Sequence, residues 1–165
     1  MIQLESPREL FVQELRSALA MERSSLELLQ KFEQRASYPH LRQQLAEHAR
    51  ETEPQIQNLH AAFDALGEVA NGRASPVLDS LEEVSEQMIA RASKELVDLP
   101  IVGSWVQLEH HEIAVYNGLI IAAETTGDED LVPLFQENLE REEQALDAAV
   151  RTAEQVSHQL ALRRS

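Results

Sequence analysis

Apolar residues recur along this chain at intervals of three and four over four long stretches, as they do in helices that turn one stripe inward. The first stretch opens at Ser6-Pro7-Arg8-Glu9, with a capping serine, a proline at the first helical position and a glutamate at the capping-box position. Its stripe of Leu10, Phe11, Leu15, Ala18, Leu19, Leu26, Leu29 and Phe32 predicts a helix over about residues 7–36. Ser37-Tyr38-Pro39 breaks that helix and starts a second, about 39–66, through Leu41, Leu45, Ile56, Leu59 and Phe63 to a terminating Gly67. So short a break folds the two helices into an antiparallel pair. Pro54 lies inside the second helix and is expected to bend it.

A loop with Gly72 and Ser75-Pro76 leads to a short amphipathic helix, about 76–92, carrying Val77, Leu78, Leu81, Val84, Met88 and Ile89. A third long helix, about 98–126, stops at Thr125-Thr126-Gly127. After the acids Asp128-Glu129-Asp130, a last helix, about 129–161, runs through Leu131, Leu134, Phe135, Leu139, Leu146, Ala149, Val150, Ala153 and Val156. The segment between the second and third long helices is long enough to climb the length of a bundle, so those two helices can run parallel. The pattern predicts an all-α chain, one domain over residues 1–165: a ferritin-like four-helix bundle with a short extra helix in its long crossover. A length of 165 residues, 43% of them hydrophobic and only five of them glycine, suits one continuous core.

The inward stripes are interrupted by acids. Glu109 and Glu112 share a helix face with Trp105, Ile113, Tyr116 and Leu119. Glu22 falls in the middle of the first stripe, and in the second the leucines give way to His48, Glu51, Thr52 and Gln55. Glu142 lies on the last stripe, with Glu143 at its margin. At about 1.5 Å per residue, Glu22 and Glu51 fall roughly 18–21 Å from one end of the bundle and Glu109, Glu112 and Glu142 roughly 20–24 Å from the other, so every long helix carries an acid near mid-height. Carboxylates gathered there would repel by several kcal/mol unless cations sat among them. Oxygen ligands with an occasional imidazole suit iron or manganese, and carboxylates can bridge two ions. Two blander readings stay open: the acids are protonated and bonded to His48, Gln55 and Tyr116, or Glu22 lies at a helix edge and reaches water.

A formal net charge of −15 argues against nucleic acid or an anionic membrane as a partner and attracts metal cations. The absence of cysteine excludes disulfides, thiolate zinc sites and cysteine nucleophiles, and suits a reducing, cytoplasmic setting. The serines lack any associated base pattern, so nucleophilic catalysis has little support. The N-terminus shows no basic-then-apolar leader, and the longest apolar run is broken by Asn117 and Gly118, as in a buried helix rather than a membrane span.

With these residues in place, the chain resembles the YciE/YciF-type family of ferritin-like bacterial proteins. The likeness runs from Leu10-Phe11-Val12-Gln13-Glu14-Leu15 and Glu22, through Glu47-His48-Ala49-Arg50-Glu51-Thr52-Glu53-Pro54-Gln55, to Glu109-His110-His111-Glu112-Ile113-Ala114-Val115-Tyr116 and Asn138-Leu139-Glu140-Arg141-Glu142-Glu143. It implies a ferritin-like bundle, often dimeric, linked with metal binding and stress responses, with Glu22, Glu51, Glu109, Glu112 and Glu142 as its acids and His48 beside them. The chain departs from the ferritin-like rule of two Glu-x-x-His motifs: it has His48-x-x-Glu51 and Glu109-x-x-Glu112, and Ala145 stands three residues after Glu142. His110 and His111 are placed on flanks or a subunit interface; His40, His60 and His158 are ordinary surface or packing residues.

Two functions follow as expectations. One is a homodimeric metalloprotein with two iron or manganese ions that oxidises iron or consumes peroxide, with Tyr116 donating a hydrogen bond behind the ligands. The other is a metal-free helical bundle with a structural or partner-binding role; a cage-forming storage ferritin is a third, weaker option.

Overall fold

The computed structural model describes residues 3–72 and 74–163; Arg73, in the expected loop, lies outside the described residues. Five α-helices form: α1 (Pro7–Arg35), α2 (Pro39–Leu66), α3 (Pro76–Arg91), α4 (Asp98–Thr126) and α5 (Val132–Arg163). No strand occurs among the described residues. Residues Glu129–Leu131, which the periodicity assigns to the last helix, make a 3-10 turn that feeds into α5.

At the start of α1, Ser6 Oγ accepts the N–H of Glu9 at 3.2 Å, and the Glu9 carboxylate accepts the N–H of Glu5 at 2.7 Å. The reciprocal bond thus reaches one residue further back than a capping box does. Helices α2 and α4 end on Gly67 (φ 68°) and Gly127 (φ 78°), left-handed positions that only glycine occupies without steric cost. Tyr38 gives α2 no side-chain cap. That duty falls to Asp98, at the head of α4, whose carboxylate accepts the N–H groups of Ser37 (2.7 Å) and Tyr38 (3.1 Å) and the Ser37 hydroxyl (2.5 Å). A negative charge there also favours the positive end of the α2 dipole.

These contacts define the topology. Asp98 brings the start of α4 to the start of α2, so the two run parallel. At the other end Arg8 pairs with Asp128 at 3.2 Å, and at the first end Gln159 reaches Tyr38, so α5 returns antiparallel to α4. The crossover climbs along α1: Arg16 pairs with Glu68 at 3.0 Å, Lys31 with Glu82, and Arg35 with Glu86 at 3.1 Å. Gly72 makes the climb possible, because a Cβ there would lie 2.2 Å from the Arg16 carbonyl oxygen. The result is a ferritin-like four-helix bundle of α1, α2, α4 and α5, with α3 laid outside against α4 and α1.

Apolar layers fill both ends. Phe11, Leu15, Leu59, Phe63, Leu119 and Phe135 pack at one, with Phe11 and Phe135 edge to face at 6.2 Å; Leu29, Phe32, Leu41, Leu45, Ile101 and Val102 pack at the other. Not every residue on a predicted stripe turns inward. Leu10 and Val150 are exposed, and α3 buries Leu78, Ser85 and Ile89 while Val77, Val84 and Met88 face out. A single layer around α3 asks for a narrower buried face than the spacing of its apolar residues suggests. Helix α2 continues through Pro54, which leaves the Arg50 carbonyl without its usual intrahelical donor.

Candidate metal centre

Between the two apolar layers lies a polar band, to which every helix of the bundle contributes. Helix α1 supplies Glu22 and Ser25; α2 supplies His48, Thr52 and Gln55; α4 supplies Glu109, Glu112 and Tyr116; α5 supplies Asn138 and Glu142. All ten are buried, and Glu22, Glu109, Glu112 and Glu142 are almost completely so.

One ligand atom from each of His48, Glu109, Glu112 and Glu142 lies within 4.8 Å of the others. His48 Nε2 stands 3.1 Å from Glu109 Oε1 and 3.5 Å from Glu142 Oε2. Both oxygens of Glu109 and of Glu112, one oxygen each of Glu22 and Glu142, and both nitrogens of His48 have no hydrogen-bond partner in the protein. Converging oxygen acceptors beside an imidazole suit a cation, so this donor set could hold a metal ion.

Neighbouring amides and hydroxyls hold the ligands from behind. Gln55 Nε2 donates to Glu142 at 2.5 Å. Tyr116 donates its hydroxyl to Glu22 in a short bond and accepts from Asn138 Nδ2 at 2.9 Å. The same Asn138 amide donates to the Gln55 carbonyl at 3.1 Å, and its oxygen accepts from Asn58 at 2.8 Å. The path Asn58, Asn138, Tyr116, Glu22 thus fixes one carboxylate through three successive donors, the arrangement by which outer residues orient metal ligands.

Electrostatics follow from burial. Burial pushes Glu22 up to about 7, against the lowering effects of the Tyr116 hydrogen bond and of His48. Glu112 is driven well above the usual carboxylate range by burial and then by the charges of Glu142, Glu22 and Glu109. Glu142 moves the same way, by burial first and Glu22 next. For His48 burial works downward, but Glu109, Glu51 and Glu142 outweigh it and raise the imidazole well above its ordinary value. Two ionised carboxylates 4.8 Å apart would repel by about 3–4 kcal/mol at an effective dielectric of 20. Without a cation the cluster therefore keeps protons; with one it can ionise.

Glu51 stands apart from the buried group. Its side chain is 55% exposed, and its contact with the cluster is a 3.7 Å approach to His48 Nδ1, which lowers its pKa. The buried face of α2 follows Leu41, Leu45, His48, Thr52, Gln55 and Leu59, and Glu51 sits one position off that line. His110 is exposed and His111 half-buried, so neither shares the inward face of Glu109 and Glu112. Asn138 and Ser25 are members of the band that sequence reasoning missed. Asn138 was available as a polar residue one turn before Glu142 on the inward stripe; Ser25, one turn from Glu22, resembles any small core residue.

Among the described residues no helix is long and apolar enough to cross a membrane. The family described as a domain of unknown function (DUF892) matches residues 6–161. Protein YciF of Escherichia coli K12 is 27% identical over 141 residues, covering 84% of each chain. Among solved structures, YcfI of Rhodopseudomonas palustris is 30% identical with a TM-score of 0.85 over 89% of this chain and 94% of that one. The Escherichia coli stress protein YciF superposes with a TM-score of 0.87 at 21% identity, over 94% of this chain and 99% of that one. A Xanthomonas campestris protein gives 0.79 at 23% identity, over 96% and 99%. With the family match spanning all four long helices and every residue of the polar band, the chain belongs to the DUF892 family of YciF-type proteins.

Proposed function

We propose that this chain is a cytoplasmic, homodimeric metalloprotein of the stress response that holds iron or manganese in its polar band. The observation that carries the reading is the convergence of His48, Glu109, Glu112 and Glu142, all buried, each with at least one ligand atom that has no hydrogen-bond partner in the protein. Glu22 adds a fifth buried ligand, enough with the other four to hold two ions between bridging carboxylates. When bound, such a pair supplies a redox centre for ferrous iron or peroxide. The chain's own contribution is to orient and to exclude water. Tyr116 and Asn138 aim Glu22, Gln55 aims Glu142, and the apolar layers on either side close the band. Tyr116, with its pKa raised well above the ordinary value by burial and then by Glu22 and Glu142, stays a hydrogen-bond donor. The acidic balance of the chain supports a partner list of metal ions without nucleic acid or anionic membranes.

The competing reading, a metal-free structural bundle, is supported by the raised acid pKa values, which let the band exist as protonated carboxyls, and by the structural role suggested in the description of YcfI. Metal analysis of protein prepared without chelator separates the two, followed by melting curves with manganese, with anaerobic ferrous iron and with chelator. Bound metal and an upward shift that vanish together in a Glu109→Gln/Glu112→Gln double variant support the first; no metal and no shift support the second.

A further inference from the structure

The proposed centre is buried, so a cation needs a way in, and one surface cavity touches it. A cavity of about 130 Å³ opens between α2, α4 and α5, lined by Glu47, His48, Glu51, Trp105, Gln144 and Ala148 among others. Four other surface cavities of the described residues are lined by no residue of the cluster.

His48 forms the wall between this cavity and the band. Only 3% of its surface is exposed, yet its two nitrogens face opposite ways: Nδ1 lies 3.7 Å from Glu51 on the cavity side, and Nε2 lies 3.1 Å from Glu109 on the core side. Neither nitrogen has a hydrogen-bond partner. On the α5 side the wall is low, since Ala145 and Ala148 stand where larger residues would close the gap. At the rim Glu47 is held by the amides of Gln43 (2.9 Å) and Gln44 (3.0 Å). Glu51 has no lysine or arginine within ion-pair distance among the described residues.

We infer that this cavity is the loading port for divalent cations, that Glu51 is the carboxylate that receives them, and that His48 passes them inward to Glu109 and Glu142. The inference rests on the metal-binding reading above. It assigns Glu51 a task that its exposed position allows, carriage rather than permanent ligation. Two carboxylates, Glu47 and Glu51, over a low-dielectric wall concentrate cations and raise their rate of arrival, partly offset by Arg50 and Arg141, whose charges also reach Glu51. The occupant is a hydrated divalent ion that exchanges water for carboxylate oxygen at the rim.

The test is stopped-flow uptake of Mn²⁺ by the full metal-free chain at low ionic strength, paired with equilibrium titration and chelator-driven release. Glu51→Gln should slow uptake and release alike by about tenfold, the lower end of what a focusing cleft contributes, with stoichiometry and equilibrium affinity unchanged. Gln144→Arg, which places a cation at the same exposed mouth, should slow both further, while Glu83→Gln, an equal charge change on exposed α3, should leave both at the wild-type value. Affinity that falls in step with uptake makes Glu51 a ligand and overturns the port. Unchanged rates in both Glu51→Gln and Gln144→Arg overturn it while leaving the metal reading intact. Wild-type protein that takes up no Mn²⁺ overturns both.

Discussion

The layer around Phe11 and Phe135 and the band around Glu109 and Glu112 are buried to the same degree, a few turns apart along the same helices. In the first, every inward atom meets a neighbour it can use: rings pack edge to face, and nothing polar is left over. In the second, carboxylates and an imidazole crowd together with their lone pairs unsatisfied. Burial alone therefore does not rank the two regions. The first stabilises the fold, and the second lowers stability unless something fills it.

Four perturbations test that contrast. The largest effect is expected from Phe135→Ala, which opens a cavity in the apolar layer and should cost about 3–5 kcal/mol. The loss should be the same with and without metal, read by urea or thermal unfolding. Next, manganese or ferrous iron at about one hundred times its dissociation constant should stabilise the wild-type chain by about 2.7 kcal/mol, a rise of several degrees at this size. Glu109→Gln/Glu112→Gln should remove that rise.

Smaller and opposite in sign to the phenylalanine deletion, Glu112→Met should stabilise the metal-free protein by about 1–2 kcal/mol, because it replaces an unsatisfied buried acid with a side chain of similar length. A destabilised Glu112→Met variant would show that the band is satisfied without metal. Last comes pH. Glu22 binds its proton more tightly folded than unfolded, so its contribution to the metal-free fold is complete below its ordinary 4.5 and is lost as pH rises through about 7. The slope from this group is at most about 1.4 kcal/mol per pH unit. Metal affinity should rise across the same interval as protons leave, so the stability curves of loaded and metal-free protein should diverge toward neutrality. Parallel curves would sink the metal reading.

Much of this could be read from the chain because it is written in local chemistry. Ser6 and Glu9 cap α1, and Gly67 and Gly127 end α2 and α4, because those positions need particular side chains or none. Counting residues from the helix ends brought Glu22, Glu51, Glu109, Glu112 and Glu142 to about one level because helical rise is nearly constant. What escaped depends on rotation or on distant partners. Glu51 shares the level of His48 but sits too far around the helix, a difference of one position that periodicity blurs. The outward turn of Val84 and Met88 depends on what covers α3, and the Asn138 bridge depends on where Tyr116 comes to rest. Asp98 reads as the first residue of its own helix, and nothing nearby in sequence announces that it caps another.

That carboxylate spans some sixty residues of chain to grip the two amides at the head of α2. Its grip joins the hairpin of α1 and α2 to the hairpin of α4 and α5 at the end farthest from Gly127. The two halves cannot hinge apart there without surrendering Ser37 and Tyr38 to solvent. Deuterium uptake at those amides would thus time the parting of the halves, and Asp98→Ala would advance that clock while leaving amides beside Phe135 slow.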